Sequence, residues 1–133
     1  MSQENVELVR RGFEAYSRGD IDGAVADFAP DCRYTAAGTI PDRTGVFRGP
    51  EGYKEFMGWL RSEFEDVQAE VDELIDAGDT VVVGSTLGGR GRQSGAQAKF
   101  SFWQIWTVQN RKFVRGQGFA TREEALEAAG LRE

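Results

Sequence analysis

The chain contains no histidine. Ser-His-Asp and Cys-His catalysis, histidine-ligated metals and a histidine general base are therefore excluded. Acid–base chemistry falls to carboxylates, tyrosine, lysine or water. Cysteine occurs once, as Cys32, so an intrachain disulfide framework is excluded. A lone cysteine reads as a small buried side chain in a reducing compartment. No stretch approaches the roughly 18 apolar residues of a membrane span. Met1-Ser2-Gln3-Glu4-Asn5 has no basic region ahead of an apolar core, so no secretory signal is read and a cytoplasmic location is expected. Positive charge is also in deficit, with 16 Lys and Arg against 22 Asp and Glu, a net charge of −6. That balance repels phosphate, so neither nucleic acid nor an anionic membrane is expected as a partner. Asp20-Ile21-Asp22-Gly23 has the outline of a calcium loop but lacks the later ligands and the terminal glutamate. Gly89-Arg90-Gly91 precedes no helix, so it reads as a hairpin tip, not a phosphate cradle. No metal and no cofactor is expected.

What is present fits one domain over residues 1–133. The 133 residues are 40% hydrophobic and 29% charged, ordinary for a globular chain that sustains one core. Val6, Val9, Phe13 and Tyr16 form one stripe of a helix over 4–17, with Ser2 as N-cap and Gly19 just past its end. Asp20 caps a second helix over 21–28, stopped by Pro30 and Asp31. A short strand covers 32–36, and a glycine-containing loop 37–49. A third helix starts near Pro50, with Tyr53, Phe56, Met57, Leu60 and Phe64 on one apolar face. Strands follow over 67–77, 80–87, 98–108 and 112–120, joined by Gly78-Asp79, a glycine-rich tip over 88–95 and Gln109-Asn110-Arg111. Thr121 and Glu124 form a capping box for a last helix ending at Gly130. Helices set apart from an antiparallel meander predict an α+β fold.

Several segments resemble one family in order and spacing. The run from Phe13 to Ala24, with Gly19-Asp20 between two helices, looks like the opening of SnoaL-like, nuclear transport factor 2-like proteins. Phe28-Ala29-Pro30-Asp31-Cys32-Arg33-Tyr34 is similar to the entry to their first strand. Phe47-Arg48-Gly49-Pro50-Glu51-Gly52 resembles the start of their third helix, and Ile75-Asp76-Ala77-Gly78-Asp79-Thr80-Val81-Val82 their second hairpin. Ile105-Trp106-Thr107-Val108 and the stretch from Arg122 to Leu131 complete a match over nearly the whole chain. The resemblance implies a ketosteroid isomerase-like cone, in which a strongly curved antiparallel sheet packs against three N-terminal helices around a pocket, with a short C-terminal helix. It often implies a dimer. It does not fix an activity. Aligned residue by residue, the isomerase base falls on Ala36, its tyrosine on Gly12 and its protonated acid on Gln104. The epoxide hydrolase cluster has no counterpart, and no cyclase carboxylate is placed.

Alternation along 98–108 puts Phe100, Phe102, Gln104 and Trp106 on one face, opposite Val114, Gly116, Gly118 and Ala120. Aromatics facing glycines leave room for a flat apolar ligand, unless Phe102 fills that space. Gln104 would be one of few polar groups there, contacting a ligand or bonding to backbone or water. Tyr16, one turn beyond Gly12, and Tyr34, on the strand face of Ala36, are further candidates, or are core aromatics with rim hydroxyls. The expected ligand-binding set is Tyr16, Tyr34, Phe56, Phe102, Gln104, Trp106, Gly116 and Gly118, around an apolar cavity of roughly 300 Å³ or more. Asp42 and Arg43 read as loop charges near its mouth. The expected function is binding of a ring-like hydrophobic small molecule without ketosteroid isomerase activity; the alternative is a cyclase, isomerase or hydratase acting on such a molecule. Trp103 and Ile105 make the second face apolar as well, with no helix assigned to cover it. A two-fold homodimer through Trp103 and Ile105 is therefore expected.

Overall fold

The computed structural model of the chain describes residues 2–40 and 43–131. In chain order the elements are α1 (Ser2–Ser17), α2 (Ile21–Ala24), β1 (Phe28–Ile40), β2 (Arg43–Arg48), α3 (Gly49–Glu63), β3 (Phe64–Ala77), β4 (Thr80–Gly91), β5 (Gln97–Gln109), β6 (Lys112–Phe119) and α4 (Arg122–Ala128). The strands form one curved, unclosed sheet in the order β2-β1-β6-β5-β4-β3. Every pairing is antiparallel except β1 with β6, which is parallel, so the sheet is mixed.

Helix phase follows from the apolar stripes. Val9 and Tyr16 of α1 are buried, with Val6 and Phe13 packed beside them. On α3, Phe56, Met57 and Leu60 are buried and Pro50 occupies the first turn. Phe64 departs from the expected helical face: it opens β3 and stacks edge-on against Phe100. Both long helices lie on the concave side of the sheet, α1 across β3 and α3 against β1.

Three other expectations are corrected. The second helix ends at Ala24, four residues short of the expected boundary, although Asp20 caps it by accepting from the Gly23 amide at 2.9 Å. Beyond it the backbone is captured by the sheet. The Phe113 amide donates to the Asp27 carbonyl, and Phe28 pairs with Phe113. The glycine-containing loop over 37–49 is largely strand: β1 runs on to Ile40 and folds back as β2. Backbone pairing needs no hydrophobic alternation, so this hairpin carries little sequence signal. Arg43 begins β2, and Asp42 lies outside the described residues.

The third correction concerns the convex face. The capping box at Thr121 and Glu124 is present, and α4 folds back over the sheet. Val82, Ile105 and Ala125 form a small second core, flanked by Ile75, Trp103 and Phe119. Ile105 is only 4% exposed, so it is already covered within one chain and cannot carry a dimer contact. Trp103 lies flat over Gly84, where a Cβ would sit 2.4 Å from the ring. Arg122 stacks above Trp103 and makes a two-pronged bond to Glu73 at 3.0 Å. That guanidinium holds the Glu73 carboxyl below its usual range.

Candidate functional site

The concave face of β5 carries Phe102, Gln104 and Trp106, all buried. Trp106 stands at the centre. Its ring stacks on Tyr34 at 5.4 Å and meets Tyr53 edge-on at 5.5 Å, with Phe28 and Phe113 at 5.4 and 5.3 Å. Its position depends on β6. Trp106 pairs with Gly116, and a Cβ there would lie 2.4 Å from the indole. The glycine groove is therefore occupied by the chain's own tryptophan. Gly116 seats that ring, and Gly118, opposite Gln104, is likewise buried in the ladder; neither borders the open space.

That space is a cavity of about 60 Å³ between α1, α3 and the sheet. Tyr16, Tyr34, Phe56, Phe102, Gln104 and Trp106 all line it, and so does Gly12. The volume is well below the expected 300 Å³, because Trp106 and the rings around it fill most of the concavity. No carboxylate and no cation is found in its lining among the described residues. Ala36 is buried on β1, in the same core as Tyr34.

Polar groups in this wall are few. Gln104 is 1% exposed and fully engaged by the protein. Its Nε2 donates to the Tyr34 hydroxyl at 2.9 Å and to the Tyr53 hydroxyl at 3.3 Å. Its Oε1 accepts from the Trp106 indole at 3.1 Å. Tyr53 was read from sequence only as part of the α3 stripe. Its place three residues before Phe56 on that buried face was the signal for a site role. The Tyr16 hydroxyl has no hydrogen-bond partner among the described residues. The Arg61 guanidinium stacks over the Tyr16 ring at 4.6 Å and donates to the Tyr16 carbonyl, closing the end of α1. Burial pushes the Tyr16 phenol up to about 12, partly offset by Arg61, and the Tyr34 phenol up to about 12, partly offset by Gln104. Tyr53 is raised well above the usual range by the same cause, with Tyr34 adding to it.

Other sequence features are accounted for within the fold. Arg90 pairs with Glu65 and Asp66, and the Arg92 side chain donates to the Arg61 carbonyl. Asp22 pairs with Lys54, and no group of three potential metal ligands is found among the described residues. Among those residues no helix is long and apolar enough to cross a membrane.

Residues 9–116 match the model of the SnoaL-like domain family. Among solved structures, a nuclear transport factor 2-like protein from Burkholderia thailandensis is 26% identical, with a TM-score of 0.76 over 96% of this chain and 97% of that one. TerC, crystallised with polyporic acid, is 22% identical, with a TM-score of 0.77 over 96% and 98%. A candidate SnoaL-like polyketide cyclase from Jannaschia is 22% identical, with a TM-score of 0.75 over 96% and 91%. No curated protein sequence matches the chain.

Proposed function

This chain belongs to the SnoaL-like domain family, and from that premise we propose that it binds a hydrophobic, ring-like small molecule in the cavity beneath α1 and α3. The observation that carries this reading is the Tyr16 hydroxyl, buried without a partner beside an uncharged apolar cavity. A buried polar group left unpaired costs about 1–3 kcal/mol, which a bound ligand would recover. A ring exceeds the free volume, so binding displaces rim side chains, the half-buried Phe13 among them.

Steroid-type isomerisation is not part of this function. By the family resemblance Ala36 and Gly12 take the places of the base and the phenol, and no carboxylate is found in the cavity lining among the described residues. A thermal-shift screen with steroids, polyketide fragments and terpenoids tests the reading, with androstenedione included. Saturation at a hundredfold excess over Kd stabilises by about 2.7 kcal/mol, several degrees of Tm. A panel with no shift overturns binding, and enzyme-like turnover of androstenedione overturns the non-isomerase assignment.

The assembly that accompanies this reading is a homodimer across the convex face, carried by the half-buried Trp103 and Phe119 beside α4. Light scattering then gives twice 14.7 kDa. A mass of 14.7 kDa at micromolar concentration overturns it.

A further inference from the structure

Two helices flank the cavity without closing on each other. α1 packs on β3 and β4, and α3 on β1, β2 and β3, but the two helices scarcely meet. The cavity lies in the seam between them, with Phe13 and Tyr16 on one side and Phe56, Met57 and Leu60 on the other. Side chains of α3 cross that seam at two points. Lys54 reaches Asp22 of α2 at 3.0 Å. Arg61 donates to the Tyr16 carbonyl and lays its guanidinium over the Tyr16 ring at 4.6 Å. Lys54 and Arg61 are two helical turns apart, about 10 Å along one face of α3. The three cavity-lining residues just named lie between them.

Both braces are easily undone. The Asp22 side chain is 89% exposed, so water and salt screen its ion pair with Lys54 and the pair adds little. Arg61 bonds to the Tyr16 carbonyl, but its Nε is buried with no hydrogen-bond partner among the described residues. That donor regains its hydration when the side chain swings outward, which offsets the bond it gives up. α3 itself is built to loosen. Arg48, at its N-cap, makes no side-chain capping bond. Gly52 and Gly58 weaken its interior.

We propose that α3 is a lid over the cavity, and that Lys54 and Arg61 are its two catches, holding it against α2 and α1. A ligand enters and leaves through the seam that opens when both let go. The proposal rests on the small-molecule reading above for the purpose of the lid, but the opening itself can be seen without a ligand. Cys32, the one cysteine of the chain, lies on β1 beneath α3 and is 1% exposed. It is near enough to Tyr53 of α3 to push that phenol up. Its thiol therefore reports a lifted lid.

The test is the rate at which dithiodipyridine, an uncharged thiol reagent, labels Cys32 in the full chain at increasing low urea. Local opening gives a rate indifferent to urea, whereas global unfolding gives one that climbs steeply. A flat rate is expected in the unaltered protein. Arg61→Ala, checked for folding by circular dichroism, should raise that flat rate about tenfold, the loss of one charge-assisted hydrogen bond. Lys54→Glu should raise it about fivefold, and adding Asp22→Lys to that variant should return it to within about twofold of the parent. A parent rate that climbs from the first addition of urea overturns the lid. A flat rate unmoved by Arg61→Ala overturns that catch, and a charge swap that fails to restore the rate overturns the other. All three results leave the small-molecule reading standing. Stopped-flow mixing with N-phenyl-1-naphthylamine, an uncharged fluorescent probe, connects the lid to binding. Its on- and off-rates should rise together in Arg61→Ala, with Kd within about threefold of the parent. A loss of affinity carried by the off-rate alone would make Arg61 a ligand contact and overturn its role as a catch. No binding of this probe to the parent, with the thiol rates as expected, counts against the small-molecule reading and upholds the lid.

Discussion

Trp106→Ala is expected to lower the unfolding free energy by about 3–5 kcal/mol, the range for deleting a buried aromatic. Four aromatic rings pack against this indole, and it fills the groove that Gly116 leaves open. Removing it opens a hole walled by Phe28, Tyr34, Tyr53 and Phe113. It also strips Gln104 Oε1 of its one donor among the described residues, on a side chain 1% exposed. Those walls are stiff and glycine cannot fill from below, so the hole should not collapse. Two measurements check this. Urea unfolding followed by circular dichroism should show the lower midpoint. Free indole should then raise the midpoint of the variant but not of the parent, because a dry apolar hole of the right shape binds what was removed. A loss below about 1 kcal/mol would contradict the central position of Trp106.

Alkaline pH is the second large lever. The phenols of Tyr16 and Tyr34 are held up to about 12 in the folded chain, against an ordinary 10.0. Above pH 10 the unfolded chain loses these protons first and so binds fewer than the folded one. Stability is therefore fully present below pH 10 and is lost as pH climbs toward 12. At about 1.4 kcal/mol per unit and per group, the two phenols together remove about 5 kcal/mol over that window. Tyr53 acts in the same direction. A loss of that size rivals the whole stability of a small domain, about 5–15 kcal/mol, so alkaline unfolding is expected. Urea midpoints measured in steps from pH 9 to 12 test it, with the ultraviolet phenolate band as a second probe. The double variant Tyr16→Phe, Tyr34→Phe should show a shallower decline. A flat profile in the parent would mean that water reaches the hydroxyls.

What could be read in advance was whatever depended on local periodicity. The stripes of α1 and α3 set which residues face the sheet, and strict alternation in β5 set Phe102, Gln104 and Trp106 against Ser101, Trp103 and Ile105. The capping box at Thr121 is a pattern of four residues and survived intact. Errors arose where a distant segment decided the outcome. The second helix ended in a turn and then a strand because β6, some 85 positions later, offered a ladder to Phe28. The convex face was taken as bare because nothing local in residues 122–128 says that this short helix turns back onto Val82 and Ile105. The cavity was overestimated for a related reason. Pairing Trp106 with Gly116 was visible, but alternation says which face a ring is on, not whether it lies down on its neighbour. Gln104 shows the same limit: burial was readable, while its three partners come from β1, α3 and its own strand.

The parallel pairing of β1 with β6 also dictates an order of events during synthesis. β1 is among the first segments to leave the ribosome, and one of its two edges stays unpaired until residues 113–117 follow. Hairpins β3–β4 and β5–β6 close over short distances and need no such wait. The slow step is the long-range join, which must hold some 80 intervening residues while it forms. Until then Tyr34 lacks Trp106 and Gln104, so the central aromatic cluster is assembled last. A nascent chain stalled before β6 would expose β1 as an open template for other strands, and this protein is most vulnerable to aggregation in that interval.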